Sequence, residues 1–298
     1  MKILLLGKNG QVGWELQRSL APLGEVIALG SDSVQWCGNF QDLAGMEATV
    51  RAIAPDVIVN AAAYTAVDKA ETDVDACRTV NALAPGVLAS VAADTGALLV
   101  HYSTDYVVDG SGEAARDEAA PTGPLSVYGS TKLEGEQAIV RSGCKYLIFR
   151  TSWVYAARGG NFARTMLRLA GERDRLSVVA DQIGAPTGAD LIADVSAHAI
   201  RAARAQPALC GIYHLAAAGA TSWHGYARHV IELARQAGAA IKVADAAIAA
   251  VGSEAFPTPA VRPKNSRLDT AKLRSAFALA LPEWQHGVTR MLSEILEK

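Results

Sequence analysis

Short apolar runs alternate with longer stretches of helical periodicity over the first half of the chain. Residues 2–6 precede a helix-like stretch at 14–20, residues 25–29 precede a polar link and a helix around 42–53, and residues 56–63 precede a helix from about 74 to 95. Residues 97–103 lead to the helix that carries Tyr128, and 145–151 complete the series. Apolar runs of about four to eight residues suit strands buried on both faces, and their regular alternation with helices predicts a parallel sheet covered on either side. The fold class expected is α/β, a Rossmann-like doubly wound parallel sheet. Binding sites in that architecture lie beyond the carboxyl ends of the strands, so Gly7, Ala62, Ala63, Ser103, Thr104 and residues 151–153 should converge.

After Trp153 the pattern loosens. A helix opens at 159–162 and runs to about 173, residues 181–188 form a turn-rich connector containing Pro186, and the apolar run 211–216 returns to the main sheet. Residues 256–267 are Pro-rich and basic. The chain therefore divides into a dinucleotide-binding domain, 1–152 with about 188–218, and a smaller C-terminal substrate-binding lobe, about 153–187 with 219–298.

Two local patterns carry chemistry. Gly7, Gly10 and Gly13 punctuate the passage from the first apolar run to the first helical stretch. Glycines at a strand-to-helix turn let the backbone approach a pyrophosphate and aim helix N-terminal amides at it, although the spacing is G-x-x-G-x-x-G rather than G-x-G-x-x-G. Tyr128 and Lys132 lie four residues apart, which stacks them on one helical face. A phenol beside an ammonium suits proton donation to a carbonyl that is receiving hydride. The lysine is expected to lower the tyrosine pKa from its ordinary value near 10, and a hydroxyl such as Thr104 to hold the oxyanion.

Composition is compatible with such an enzyme. The chain has 298 residues, half of them hydrophobic, and a net charge of −2, which gives no reason to invoke nucleic acid or an anionic membrane as partner. The first apolar run stops at Gly7 and Lys8, unlike a signal peptide, and no apolar run reaches the roughly 18 residues of a membrane span. Cys37, Cys77, Cys144 and Cys210 are scattered without a C-x-x-C pair and read as reduced thiols of a cytoplasmic protein. His101 and His214 are expected to pack within strands without a chemical role.

Several further motifs, in order, extend these observations: Asn60-Ala-Ala-Ala-Tyr-Thr-Ala-Val-Asp68, Ser103-Thr-Asp-Tyr-Val-Val108, Val127-Tyr-Gly-Ser-Thr-Lys132, Arg150-Thr-Ser-Trp-Val-Tyr155, Asp181-Gln-Ile-Gly-Ala-Pro-Thr187 and Arg262-Pro-Lys-Asn-Ser-Arg267. With the glycine turn, they make nearly the whole chain resemble the extended short-chain dehydrogenase/reductase superfamily and, within it, the dTDP-4-dehydrorhamnose reductase family. The resemblance implies reduction of the C4 keto group of dTDP-4-dehydro-6-deoxy-L-mannose to give dTDP-L-rhamnose, with NADPH or NADH as cofactor.

Carried over by position, the resemblance places Gly7, Gly10, Gln11, Val12 and Gly13 at the cofactor pyrophosphate and Ala62, Ala63, Tyr64 and Thr65 along its path. Tyr102 becomes a further cofactor contact, with Gly30, Asn39 and Phe40 at the adenosine end. It makes Tyr128 the proton donor, sets Lys132 on the nicotinamide ribose, and gives the sugar to Thr104, Asp105 and Trp153. Trp153 would offer an aromatic face to the hexose, or else be an ordinary core tryptophan. Arg262, Lys264 and Arg267 either neutralise the nucleotide pyrophosphate or form a solvated basic loop. The family often has an acid where this chain has Gly30, Ser31 and Asn39, so NADPH should be tolerated. The resemblance also suggests a homodimer around Mg²⁺ with Glu15, Asp190 and Glu294 as ligands, residues that read equally well as surface acids. Rival readings are a nucleotide-sugar epimerase or dehydratase on the same scaffold, and a non-catalytic nucleotide-binding regulatory subunit.

Overall fold

The computed structural model describes residues 1–296. Six strands, β1 (Lys2–Leu6), β2 (Glu25–Leu29), β3 (Val57–Asn60), β4 (Leu98–Thr104), β5 (Lys145–Thr151) and β6 (Gly211–His214), form one sheet in the order β6-β5-β4-β3-β1-β2, every pairing parallel. The order reverses between β1 and β3, and a crevice opens beyond the carboxyl ends of strands at such a switch point. Alternate side chains of each strand feed opposite faces. Ile3, Leu5, Val57, Val59, Val100 and Phe149 pack on one side; Leu4, Leu6, Ile58, Leu99 and Ile148 pack on the other. Both faces are covered, which is why the strands read as unbroken apolar runs.

The first face is closed by α1 (Gln11–Leu20), through Leu16 and Leu20. The second is closed by α2 (Leu43–Ile53), α3 (Val74–Thr95) and α4 (Val127–Ser142), through Met46, Val50, Leu88 and Ile139. By length and mean hydropathy α3 passes as a candidate membrane span, contrary to the expectation from contiguous runs, yet half of its apolar window is buried inside this fold. It contains one π turn, Thr79–Leu83, just before Pro85. A proline supplies no N–H to the residue one turn back, and the wider turn accommodates the mismatch. The backbone of Asn81 in that turn lies where a side chain on Gly135 of α4 would collide with its carbonyl, so α3 and α4 pack backbone to backbone. Ser126 caps α4 by accepting from Gly129 N–H at 3.2 Å, and Glu71 accepts from Val127 N–H at 2.8 Å. Two acceptors thus hold the turn that carries Tyr128.

Beyond β5 the chain adds α5 (Phe162–Glu172), α6 (Ala189–Ala205), α7 (Trp223–Gln236), α8 (Ala271–Phe277) and α9 (Trp284–Leu296). Helix α6 returns to the sheet, burying Ile192, Val195 and Ile200 beside α1. Helices α5, α7 and α9 build two further clusters around Tyr155, Tyr226 and Trp284 and around Met166, Val178 and Ile231. Short pairings tie this part together: Leu176–Val179 with Ile248–Val251, Ile183–Gly184 with Thr221–Ser222, and Val154–Tyr155 with Thr187–Gly188. Leu273 and Phe277 of α8 pack in the sheet's own cluster, so this helix departs from the lobe drawn at 219–298. Phe277 sits beside Tyr213 of β6, a contact that sequence distance conceals.

One buried ion pair joins α4 to β5. Arg150 donates to both carboxylate oxygens of Glu136, from Nη2 at 2.7 Å and from Nε at 3.0 Å, with side chains only 4% and 2% exposed. Removing one charge leaves the other desolvated and unpaired, which typically costs about 3–5 kcal/mol. Glu136→Gln should lower the unfolding free energy toward that range in urea titration. Glu134→Gln, which disturbs the solvent-exposed pair with Arg78, should leave the midpoint unchanged within error.

Candidate active site

Gly7 follows β1 with φ of 90° and donates its N–H to Leu29 O at 2.9 Å, so the turn begins in a conformation that favours glycine. A side chain at Gly7 would lie 2.6 Å from Ala62 N, and one at Gly13 would collide with Gly7 O. At Gly10, the residue before α1, a Cβ would meet only Gly7 O, at 3.5 Å, and no side chain caps the helix there. Strand and helix thus meet at contact distance while the first amides of α1 face an open crevice, an arrangement suited to a pyrophosphate. Val12 packs inward beside the core. Gln11 accepts from Asn161 Nδ2 at 3.2 Å, and Arg158 stacks on Trp14 at 3.7 Å, so the 156–161 segment folds across the start of α1.

At the end of β2 the structure changes the reading of cofactor choice. Gly30 carries no carboxylate, but Asp32 reaches back over it: a Cβ at Gly30 would lie 2.5 Å from Asp32 Oδ1, which accepts from Asn9 Nδ2 at 3.0 Å. Lys8 Nζ stands 3.4 Å from Ser33 Oγ beside them. An acid is therefore present at this strand end, delivered by a turn rather than by the strand. Asn39 is exposed and its Oδ1 accepts from Gln41 N–H at 3.0 Å, whereas Phe40 is buried against the core of α2. The ring expected at the adenosine is thus committed to packing.

The loop after β3 is held from below. Asn60 Oδ1 accepts from Ala62 N–H at 3.1 Å, and Asn81 in the π turn accepts from Tyr64 N–H at 2.9 Å while donating to Tyr64 O at 3.1 Å. Tyr64 donates its hydroxyl to Asp73 at 2.9 Å. Ala63 and Thr65 of this loop remain exposed.

Tyr128, Lys132 and Thr104 come together where α4 crosses the end of β4. The Tyr128 phenol lies close enough to Thr104 for that hydroxyl to act on its ionisation, and its ring meets Tyr106 edge to face at 5.5 Å. Burial pushes the phenol pKa up, Asp105 adds to the rise, and the Thr104 hydroxyl opposes it. The expected lowering by Lys132 is not the governing effect, because the amine is engaged elsewhere: Nζ donates to Tyr102 O at 2.6 Å and lies 3.2 Å from His101 Nε2. Lys132 is 1% exposed, and burial pushes its pKa down to about 8 against the opposing influence of Glu136 and Cys77. Burial and the neighbouring lysine hold His101 neutral. The place of His101 in an apolar run implies no chemistry; only the packing of α4 on β4 puts it beside the lysine. Tyr102 spends its hydroxyl on Ser196 at 2.8 Å and serves this centre through its carbonyl.

Thr104 donates to Asp105 Oδ1 at 3.1 Å, and the Ser266 hydroxyl lies near the same carboxylate. Asp105 is 2% exposed and its Oδ2 has no hydrogen-bond partner among the described residues. Burial pushes its pKa up to about 6, with Ser266 and Thr104 pulling the other way. Ser266 and Tyr106 were not expected at the site; the only sign of Ser266 was its place in the basic Arg-Pro-Lys-Asn-Ser-Arg run. The cations of that run are paired within the chain. Arg262 binds Asp68 at 2.8 Å, Lys264 binds Asp181 at 3.0 Å, and Arg267 donates to Glu113 O at 3.1 Å.

Trp153 has φ of 49° and stacks on Trp223 with ring centroids 3.6 Å apart. A Cβ at Gly184 would lie 2.7 Å from its Cε2 and 3.0 Å from both flanking ring atoms, directly over the indole plane. The ring is sandwiched, so the free face expected for the hexose is already used and its edge is what remains. Glu15, Asp190 and Glu294 do approach one another: burial raises the Glu15 pKa, Arg18 opposes, and the charges of Asp190 and Glu294 add to the rise. Each acid has an arginine beside it, Arg18 at 3.6 Å from Glu15 and Arg290 at 3.0 Å from Asp190 and 3.5 Å from Glu294. Among the described residues no three acids or other ligands converge as a metal site within this chain.

Comparison with known proteins agrees with this geometry. Residues 1–297 match the family described as RmlD substrate binding domain. The chain is 56% identical over 295 residues to the dTDP-4-dehydrorhamnose reductase of Shigella flexneri, covering 99% of this chain and 98% of that protein. Among solved structures it resembles a dTDP-4-dehydrorhamnose reductase of Clostridium acetobutylicum, with a TM-score of 0.89, 34% identity and full coverage of both chains. It also resembles the Bacillus anthracis enzyme in complex with NADP, with a TM-score of 0.86, 33% identity and coverage of 98% and 99%. With a glycine turn, a Thr-Tyr-Lys centre and full-length similarity on one scaffold, this chain belongs to the dTDP-4-dehydrorhamnose reductase family.

Proposed function

We propose that the chain reduces the C4 keto group of dTDP-4-dehydro-L-rhamnose to a hydroxyl, giving dTDP-L-rhamnose, with NADPH or NADH as the reductant. The observation that carries the reading is the gathering of Tyr128, Thr104 and Lys132 at the carboxyl end of β4, on the same sheet as the uncapped glycine turn after β1. The amides at Gly10, Gln11 and Val12 and the loop from Ala62 to Thr65 are the parts of the chain suited to hold the dinucleotide. When bound, it supplies hydride to the carbonyl carbon.

The chain's residues handle the proton. Burial keeps the Tyr128 phenol protonated at neutral pH, so a proton is in place when negative charge develops on the substrate oxygen. The Thr104 hydroxyl has one proton, given to Asp105 Oδ1 at rest; turning it toward the phenol oxygen stabilises the phenolate left behind. Lys132, one turn further along α4, adds positive charge to the same pocket when protonated. Asp105 brings a buried carboxylate oxygen without a partner, and a donating sugar hydroxyl satisfies such a group. Tyr106 occupies the position where dehydratases of this scaffold place a second acid, which disfavours the dehydratase reading. Mixing the protein with NADPH and the 4-keto sugar nucleotide tests the proposal: steady loss of nicotinamide absorbance is expected, and silence with cofactor bound favours an epimerase or a regulatory subunit.

Tyr128→Phe should lower kcat by about 10²–10⁴ with little change in cofactor affinity, the usual worth of a positioned general acid. Single-turnover kinetics beside fluorescence titration of NADPH separate the two effects. Asp105 should leave a pH signature. Above about 6 it is a carboxylate that accepts strongly from the sugar, and below about 6 it is protonated, a weaker acceptor without the charge. KM for the sugar nucleotide should therefore rise as pH falls through this range, and the rise should be missing in Asp105→Asn.

The carboxylate at the end of β2 should disfavour a 2′-phosphate more than a 2′-hydroxyl. Asp32→Asn is expected to tighten NADPH by about threefold to tenfold relative to NADH, a change of roughly 1 kcal/mol. Equal Kd changes for the two cofactors would show that Asp32 does not face the adenosine ribose.

A further inference from the structure

Tyr128 is the second residue of α4, and the first turn of a helix is where intrahelical bonds are missing and fraying begins. Two side chains hold that turn. Ser126, the residue before it, accepts from Gly129 N–H at 3.2 Å, which is a local cap. Glu71, 56 residues earlier in the chain, accepts from Val127 N–H at 2.8 Å, so the peptide immediately before Tyr128 is fixed from another segment. A carboxylate there also complements the partial positive charge of the helix N-terminus. Gly129, the residue after Tyr128, passes so close to the end of β4 that a Cβ would collide with Tyr106 O. The turn is thus pressed on one backbone and tethered to another.

The tether begins in a telling place. Glu71 follows the short helical turn Val67–Ala70, which continues from the loop Ala62 to Thr65. Asp68 of that turn binds Arg262 at 2.8 Å, and Ala70 is fully buried. The loop has its own supports, Asn60 at Ala62 and Asn81 at Tyr64. The segment suited to hold the dinucleotide and the helix that carries the phenol are therefore joined by the Glu71 hydrogen bond. We propose that Glu71 is a positioning residue for the reduction: its carboxylate fixes the first turn of α4 and so holds Tyr128 in register with the loop after β3.

The depth of Lys132 decides what fails when this bond is lost. Lys132 lies one turn further along, is 1% exposed and donates to Tyr102 O at 2.6 Å, so it keeps its place without Glu71. Tyr128 is held by softer contacts, an edge-to-face meeting with Tyr106 and the nearby Thr104 hydroxyl. Loss of the Glu71 acceptor should loosen the phenol while the lysine and the loop after β3 stay where they are. Proton delivery then suffers and cofactor binding does not.

The inference rests on Tyr128 being the proton donor, and its test separates the two. Glu71→Ala should lower kcat by about 10-fold to 100-fold, the scale of a small misplacement of a reacting group, with KM for NADPH unchanged. Glu71→Gln keeps an oxygen that accepts from Val127 N–H and should restore kcat to within about threefold of the original chain. In a Tyr128→Phe background Glu71→Ala should cost nothing further, because the group it positions is gone. Amide hydrogen exchange reads the tether without turnover: Val127 should exchange faster in Glu71→Ala, while the middle of α4 around Glu136 stays protected. An unchanged kcat in Glu71→Ala, a parallel rise in KM for NADPH, a loss that Glu71→Gln does not restore, or a loss that adds to that of Tyr128→Phe overturns the proposal. Unchanged exchange at Val127 does so as well. Normal turnover in Tyr128→Phe, with Val127 exchange responding to Glu71→Ala, overturns the assignment of Tyr128 as donor, and so the reading on which the inference rests.

Discussion

The burial of one amine organises the centre of this molecule. Lys132 enters the interior with 1% of its surface exposed, and the groups around its nitrogen replace lost water: Tyr102 O, His101 Nε2 and, beyond the ring, Asn60. Polar groups taken from water are tolerated only when they are paired, so β3, β4 and α4 must keep a common register for the chain of contacts to close. The same register places Tyr128 one turn before the lysine and Thr104 at the end of the strand. Positioning of Tyr128 and solvation of the lysine are therefore consequences of one packing arrangement.

That arrangement depends on close approach of backbones. Gly13 lets α1 meet the turn at Gly7, and Gly135 lets α4 reach the π turn of α3. The π turn then points Asn81 at Tyr64, so a helix mismatch near Pro85 ends by shaping the loop after β3. At the other end of the same helix pair, Arg150 and Glu136 pair in the core. Ion pairs of this kind contribute little net stability but penalise alternatives strongly, since any shift of α4 leaves a charge unpaired. The surroundings of Trp153 and Ser266 are built differently. Trp153 is held between Trp223 and Gly184, and Ser266 arrives from a loop anchored through Arg262 to Asp68. Distant segments each supply one contact there.

The architecture was legible in the chain because its causes are local. Strands covered on both faces must be apolar along their whole length, and helices that pack on one face must repeat with the helical period, so β1 to β5 and their helices could be read directly. The helix expected from about 74 to 95 is α3. The glycine turn was legible for the same reason, since only glycine tolerates the φ of 90° at Gly7 and the contact at Gly13. The pairing of Tyr128 with Lys132 followed from helical spacing, and Asp105 from its neighbour Thr104.

What the sequence left undecided depends on contacts between residues far apart in the chain. A pKa responds to burial and to partners, and neither is visible in a helical repeat. Tyr128 is governed by burial rather than by its lysine because Tyr102 O and His101, 30 and 31 residues away from that lysine, hold the amine. His101 looked like a strand residue because it is one; its second role comes from the helix laid across it. Asp32 reaches the end of β2 by a turn, Phe40 is drawn into the core by α2, and Leu273 and Phe277 join the sheet from the far end of the chain. Sequence by itself therefore determined the periodic elements, the glycine turn and the helical pairing of Tyr128 with Lys132. The tertiary structure decided which charges are buried, which polar groups are paired and which faces remain open, because these depend on what lies within a few ångströms in space rather than within a few residues along the chain.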